Sequence, residues 1–351
     1  MNPLSSDRAE NGASRKLLRG WGLALPALLF ALLGCAPASP PEAAEGPAPE
    51  ARGRAAAEAP SAPYLVVLGV GQDGGVPQAG SWSHPGWTDP DLRSRVVSLG
   101  LVDPASGKRW LFEATPDVRG QLHDLMASPP DVRPGGIDAL RGVFLTHAHI
   151  GHYTGLMFFG HESMGASGLP VYVLPRFAEF LRSGGPWDQL VRYENIELRE
   201  LDHEKPVALT ESLRVTPLQV PHRQEYSEVA GFLIEGPTRT ALFLPDIDSW
   251  EDWDADGVRL EDVLGRVDVA YIDATFFADG EIPGRDMSGF PHPFIRHTLE
   301  RLAGRQDLLE KVRFIHLNHT NPALVPGSAA QEEIASAGAR VAREGEIVPL
   351  G

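Results

Sequence analysis

Residues 146–155 read THAHIGHYTG, and how this stretch is read decides the fold. It places three histidines, His147, His149 and His152, within six positions, directly after the apolar run VFL at 143–145. Imidazoles leaving the end of a buried strand in such density point to a metal centre, because neutral imidazole is the commonest protein ligand for zinc-like ions. The residue before His152 is Gly151, which has no side chain to offer. Whether the stretch builds a whole metal site or part of one depends on the rest of the chain.

Strand-like runs recur outward from it, at 64–68, 96–102, 110–112, 143–145, 171–174, 213–220, 231–234, 240–244, 267–272 and 312–315. Helix-like stretches fall at 118–126, 176–181, 297–303 and 329–337. Many strands with fewer intervening helices predict a layered α/β domain with mixed sheets. The metal-capable side chains sit where these runs end: His147, His222, Asp246, Asp273 and His316 each follow or close a strand. Strand ends sharing one edge of such a fold converge on a single crevice. An isolated strand-end histidine is an ordinary loop residue and an isolated aspartate an ordinary turn former; it is their number and order that suggest one site.

The segment HAHIGH resembles the HxHxDH signature of the metallo-β-lactamase fold superfamily, with Gly151 in the Asp position. The segments LGVGQDGGVPQAG (68–80), ATPDVRGQL (114–122), VPHRQEYS (220–227), LPDID (244–248), YIDATFF (271–277) and FIHLNHTNP (314–322) are similar to the branch containing the pyrroloquinoline quinone biosynthesis B proteins. The resemblance spans about residues 64–325. It implies an αβ/βα four-layer sandwich with the metal site at one edge. Carried over, His147, His149 and His222 would bind one metal, and His152, Asp246 and a last histidine would face a second. His316 is the expected last ligand and His319 its competitor. Asp273 and Glu113 are expected to orient ligating imidazoles from behind.

The resemblance implies zinc, one ion or two, with iron or manganese as alternatives, and hydrolysis by a metal-activated water. Asp246, His316 and Asp73 are the expected catalytic residues. Gly151 leaves three outcomes open: an empty second position, a substitute carboxylate such as Asp73 in the glycine-rich turn GQDGGVPQ, or a protein that only binds. Arg285 and His292, in GRDMSGFPHPF (284–294), are candidate substrate contacts, Arg285 for a carboxylate or phosphate. Trp82, His84 and Trp87 are candidates for a pocket wall, and YTGLMFF (153–159) for packing behind the site.

With 351 residues, 42% hydrophobic composition and a formal charge of −16, the chain can bury a large core, and no nucleic-acid partner held through phosphates is expected. Arg15, Lys16 and Arg19 precede the apolar run 21–33, and Cys35 after it is the only cysteine. This arrangement resembles a bacterial lipoprotein signal: residues 1–34 would be removed, Cys35 lipidated, and residues 35–62 (Ala, Pro and Glu-rich) would form a disordered tether to a domain at 63–351. The expectation is a protein exported to the cell envelope, anchored by lipid at the periplasmic face of the outer membrane, with a small-molecule substrate. The expected function is hydrolysis of an ester, lactone, amide or phosphodiester. The alternatives are oxidative chemistry like that of the cofactor-synthesis branch, or binding without turnover.

Overall fold

Strand β1 (Tyr64–Gly69) is buried on both faces, and its side chains alternate between two cores. Leu65 and Val67 point into one apolar cluster, and Tyr64, Val66 and Leu68 into another. This is the period of two expected of a pleated strand, expressed in a sheet covered on both sides. The computed structural model describes residues 60–129 and 136–351; the expected signal peptide and nearly all of the expected tether lie outside them.

The same alternation runs through β2 (Ser98–Asp103), β3 (Lys108–Phe112), β4 (Leu140–Phe144) and β5 (Leu169–Val173), and β6 (Ile196–Glu200) follows at the edge. These strands and β1 form one sheet, closed at the far edge by β14 (Ile347–Pro349) in the order β14-β1-β2-β3-β4-β5-β6. A second sheet runs β13-β12-β11-β10-β9-β8-β7. Its members are β7 (Val207–Ala208), β8 (Arg214–Gln219), β9 (Ala230–Glu235), β10 (Thr240–Leu244), β11 (Val269–Asp273), β12 (Val312–Ile315) and β13 (Arg340–Val341).

The sheets meet through aromatic side chains. Phe112 and Phe144 stack with ring centroids 5.1 Å apart, and Phe232 of the opposite sheet meets them edge-on at 5.7 and 5.6 Å. The outer face of the first sheet is covered by α1 (Val118–Ala127) and α3 (Pro175–Ser183), whose Val118, Leu122, Leu125, Phe177 and Leu181 share its outer core. Residues of α5 (Trp250–Ala255), α6 (Leu260–Gly265), α7 (Ile295–Arg301) and α9 (Ala329–Ala337) join the core of the second sheet. The result is the expected αβ/βα four-layer sandwich with mixed sheets. β6 escapes sequence reading because it is an edge strand whose IELRE has only two apolar residues, Ile196 buried and Leu198 half-buried, among exposed charges.

Strand direction positions the functional edge. β2 is antiparallel to both β1 and β3, and β3 is parallel to β4, so β1, β3 and β4 run the same way. β9 is antiparallel to both β8 and β10, which is parallel to β11, and β11 to β12, so these four also share a direction. The residues following β1, β3 and β4 therefore leave one edge of the first sheet, and those ending β8, β10, β11 and β12 leave one edge of the second. No helix among the described residues is long and apolar enough to cross a membrane.

Arg301 of α7 joins the outer helices. Its guanidinium reaches both carboxylate oxygens of Glu261 on α6, at 3.0 and 2.9 Å, and Asp254 on α5 at 2.8 Å. The Arg301 hydrogen bonds hold Glu261 down to about 2, from an ordinary value of 4.5. A depressed carboxylate stabilises the fold above its unfolded value and loses that contribution as the pH falls from about 4.5 through about 2. Replacing Glu261→Gln should cost on the order of 1–2 kcal/mol near neutral pH, allowing for solvent screening. In denaturant titrations across pH, the gap to the parent should close near pH 2; a gap that stays constant would assign the effect to packing.

Candidate metal centre

Seven of the side chains singled out from the sequence meet where the two sheet edges face each other: His147, His149, His152, His222, Asp246, His316 and Asp73. β4 ends at Phe144 and delivers Thr146 and His147 into the gap; His149 caps, and His152 lies within, the short helix α2 (Ile150–Tyr153). His222, Asp246 and His316 follow β8, β10 and β12. Hydrogen bonds hold the edges together, with Ala230 N donating to Thr146 O at 3.0 Å and Ala148 N to the Ser227 side-chain Oγ at 2.9 Å.

His147, His149 and His222 form one donor set. Their facing nitrogens are 2.9 Å (His147 Nε2 to His149 Nδ1) and 3.2 Å (His222 Nε2 to His149 Nδ1) apart. His149 Nδ1 has a single in-plane position and cannot pair well with both neighbours. The spacing instead approaches the roughly 3.3 Å edge that a tetrahedron of nitrogens at ~2.0–2.1 Å from a zinc ion would have. Each outer nitrogen faces an oxygen: His147 Nδ1 lies 2.9 Å from Thr146 Oγ1, His149 Nε2 3.1 Å from Glu225, and His222 Nδ1 2.8 Å from Asp248. Protons on the outer nitrogens leave inner lone pairs converging. Burial pushes His147 well below its ordinary value, helped by the neighbouring His152 charge; burial likewise lowers His149.

The second set is more polar and more enclosed. His152 Nε2 lies 3.0 Å from Asp73 Oδ1 and 3.2 Å from Asp246 Oδ2; His316 Nε2 lies 3.8 and 3.4 Å from the same two atoms. All four atoms are buried, and none makes a hydrogen bond. They are close enough for ion pairing but out of line for proton sharing, as atoms directed at a common centre would be. This fits a metal ion with nitrogen and oxygen ligands. Behind them, His152 Nδ1 is 3.2 Å from Glu113 Oε1, and His316 Nδ1 is 2.9 Å from Thr275 Oγ1, which donates to Asp273 at 2.8 Å. Burial works against the Asp246 carboxylate, yet His316, His152, His147 and His222 hold it below the ordinary range. Asp246 faces both sets, since its other oxygen lies 3.7 Å from His222 Nε2.

Strain concentrates at the same edge. Glu113, His292 and His316 adopt positive φ angles of 74°, 80° and 65°, a region that non-glycine residues enter at a cost of about 1–3 kcal/mol. The turn at His316 separates it from His319. His319 is not brought to either donor set; it is half-buried beside His84, ring centroids 6.2 Å apart, which corrects its expected place among the ligands. Arg285 is also not brought there. It is exposed, with its guanidinium 5.9 Å from the Phe290 ring centroid, because the loop folds on its own aromatics. His292 does reach the edge but is buried, with Nδ1 2.7 Å from Asp273 and Nε2 3.1 Å from Arg223. Trp82 is 81% exposed, whereas Tyr153, Leu156 and Phe159 pack in the core behind the site.

Arg223, Glu225 and Asp248 escaped sequence reasoning. The signals were present, in charges directly after His222 and the alternate aspartates of LPDID. Asp248 and His292 also border a cleft of about 520 Å³ that Ser249, Met287, Phe290 and His297 help to line. Burial opposes Asp248's charge, but the contact with His222, with Arg223 and His292 nearby, holds its carboxyl below the ordinary range. Replacing Asp248→Ala should weaken zinc affinity by about 10–100-fold in chelator competition, the usual effect of losing a ligand's outer partner. Affinity unchanged within about twofold would remove Asp248 from that role.

Residues 108–325 match the family described as the beta-lactamase superfamily domain. Coenzyme PQQ synthesis protein B of Ruegeria pomeroyi is 29% identical over 314 residues, covering 81% of this chain and 99% of that protein. The protein of the same name from Pseudomonas protegens is 26% identical over 322 residues, covering 82% and 100%. Among solved structures, Zn(2+)-bound PqqB from Methylobacterium extorquens superposes with a TM-score of 0.65 at 20% identity, covering 82% of this chain and 100% of that one. A diphosphatase from the PhnP family superposes at 0.56 with 21% identity, covering 82% and 96%. At these identities the superpositions show a shared fold.

Proposed function

The chain belongs to the beta-lactamase superfamily domain family, and on that premise we propose that it is a metal-dependent hydrolase acting on a small molecule. The observation that carries this reading is the concentration of buried, unpartnered donor atoms at one strand edge: Asp73 Oδ1, His152 Nε2, Asp246 Oδ2 and His316 Nε2, beside three converging imidazoles. His147, His149 and His222 would hold one ion; His152, Asp246 and His316 would face a second. Divalent metal there supplies Lewis acidity, acidifying water and steadying negative charge on a carbonyl or phosphoryl oxygen. Zinc suits an all nitrogen-and-oxygen donor set with several imidazoles, with iron or manganese as alternatives.

The protein's own groups divide the remaining work. Asp246, placed between the two sets, is the carboxylate able to orient an attacking water through an oxygen directed at either. Glu113 and Glu225 fix ring orientation by occupying the outer nitrogens of His152 and His149, and Asp248 lies against the outer nitrogen of His222. Arg223, with its side chain 46% exposed and its guanidinium 3.1 Å from His292, is the cation available at the rim for an anionic group of the substrate. The adjoining cleft has the volume of a small-molecule site.

Similarity over the full length of proteins named coenzyme PQQ synthesis protein B supports a second reading, oxidative chemistry at iron. Metal analysis with a broad ester, lactone, amide and phosphodiester screen separates the two. Hydrolysis is expected, and His147→Ala should lose bound metal and at least about 100-fold in rate, more than an outer partner's 10–100-fold. Hydrolysis that persists in His147→Ala would sink the metal-dependent reading; oxygen consumption by an iron-loaded protein without hydrolysis would favour the second.

We also propose export and lipid anchoring through Cys35, supported by the sequence of residues 1–35, outside those described. Cys35→Ala should shift the protein from the membrane to the soluble fraction of a bacterial host and abolish fatty-acid labelling. Unchanged membrane partition would contradict the anchor.

A further inference from the structure

Gly151 stands where the family resemblance calls for a carboxylate, and the structure shows what fills that space. A Cβ built on Gly151 would lie 2.3 Å from Asp73 Oδ1, 2.4 Å from Asp73 Cα and 2.8 Å from Asp73 Cβ. Two of these three atoms belong to the root of the residue, so the conflict cannot be relieved by turning a flexible side-chain end. The room a side chain at position 151 would need is taken by another residue, and that residue is itself a carboxylate.

Asp73 is directed at the donors that position 151 would have served. Its Oδ1 is buried without a hydrogen bond, although the side chain is 35% exposed as a whole. It lies 3.0 Å from His152 Nε2 and 3.8 Å from His316 Nε2. A simple ion pair with His152 would place a ring N–H in line with this oxygen and leave it partnered; the contact is not so aligned. Both rings are occupied on the outer side, by Glu113 and Thr275, so their Nε2 atoms are free for what lies between them and Asp73.

The turn after β1 is pinned to β12. Gly71 forms a parallel bridge with Leu317, the residue after His316. Gln72 N donates to Leu317 O at 2.8 Å, and Leu317 N donates to Val70 O at 2.8 Å. Asn318 Nδ2 donates to the Gln72 side chain, and Gly75, at φ 68°, closes the turn with its N donating to Gln72 O at 2.7 Å. Asp73 is thereby fixed relative to His316 by backbone bonds.

We propose that Asp73 supplies, from the turn after β1, the carboxylate that completes the second metal position with His152, Asp246 and His316, and that residue 151 is glycine because Asp73 occupies its side-chain space. This rests on the metal-dependent reading above and adds to it a relocated ligand. It ties the missing signature residue to the turn after β1, whose course at position 73 leaves no room for a side chain at 151.

The test is zinc stoichiometry. The full chain, stripped by chelator and reloaded with zinc alone, is separated from free ion and its zinc measured, with thermal melts of the stripped proteins as the check on folding. The parent should bind two equivalents. Asp73→Asn should bind one, or a second at least tenfold more weakly. Gly151→Ala, which removes no ligand, should also lose the second equivalent by displacing Asp73. One equivalent in the parent, or two at parental affinity in folded Asp73→Asn or Gly151→Ala, overturns the assignment. No zinc in the parent would instead bring down the metal-dependent reading itself, which a parent retaining one equivalent leaves standing.

Discussion

Unpaired polar atoms in a protein interior carry a desolvation cost of about 1–3 kcal/mol each, more when charged. This protein places four of them, Asp73 Oδ1, His152 Nε2, Asp246 Oδ2 and His316 Nε2, within contact of one another. Together that is on the order of 4–12 kcal/mol, comparable with the roughly 5–15 kcal/mol net stability of a whole domain. The left-handed backbone of Glu113, His292 and His316 adds to it. A fold concentrates such cost where something bound returns it, and a cation satisfies all four atoms at once. Much of the architecture around the edge follows from this constraint: outer oxygens that turn lone pairs inward, and backbone bonds that hold the two sheets at fixed spacing.

The architecture that meets the constraint is one of strand direction. β1, β3 and β4 of one sheet and β8, β10, β11 and β12 of the other deliver their following residues to facing edges. The Phe112, Phe144 and Phe232 cluster fixes the separation between the sheets beneath that edge. Donors far apart in sequence, Asp73 and His316 among them, are thus placed by a rigid scaffold, with short turns supplying only the last step.

Much of this was legible in the sequence because apolar runs mark strands and the residue just past each run is then identifiable. That logic recovers His147, His222, Asp246, Asp273 and His316 without contact information. It cannot see backbone angles such as the positive φ of His316, nor that His319 comes to lie beside His84 instead of at the site. Nor can it see partners joined only by folding. Glu225 lies 76 residues from His149. Asp248 was hidden for a different reason, since an aspartate shortly after a strand reads as a turn former. Gly151 was legible as a gap and Asp73 as a candidate carboxylate, but not that Asp73 takes up the side-chain space at 151, a contact made only by folding.

The central claim, that this edge is built to hold metal between the two donor sets, is tested most directly by crystals of the zinc-loaded protein measured at the zinc absorption edge. Anomalous peaks are predicted among His147, His149 and His222 and among Asp73, His152, Asp246 and His316. A fully loaded crystal with no peak at this edge, or with zinc bound only elsewhere on the molecule, would contradict the account.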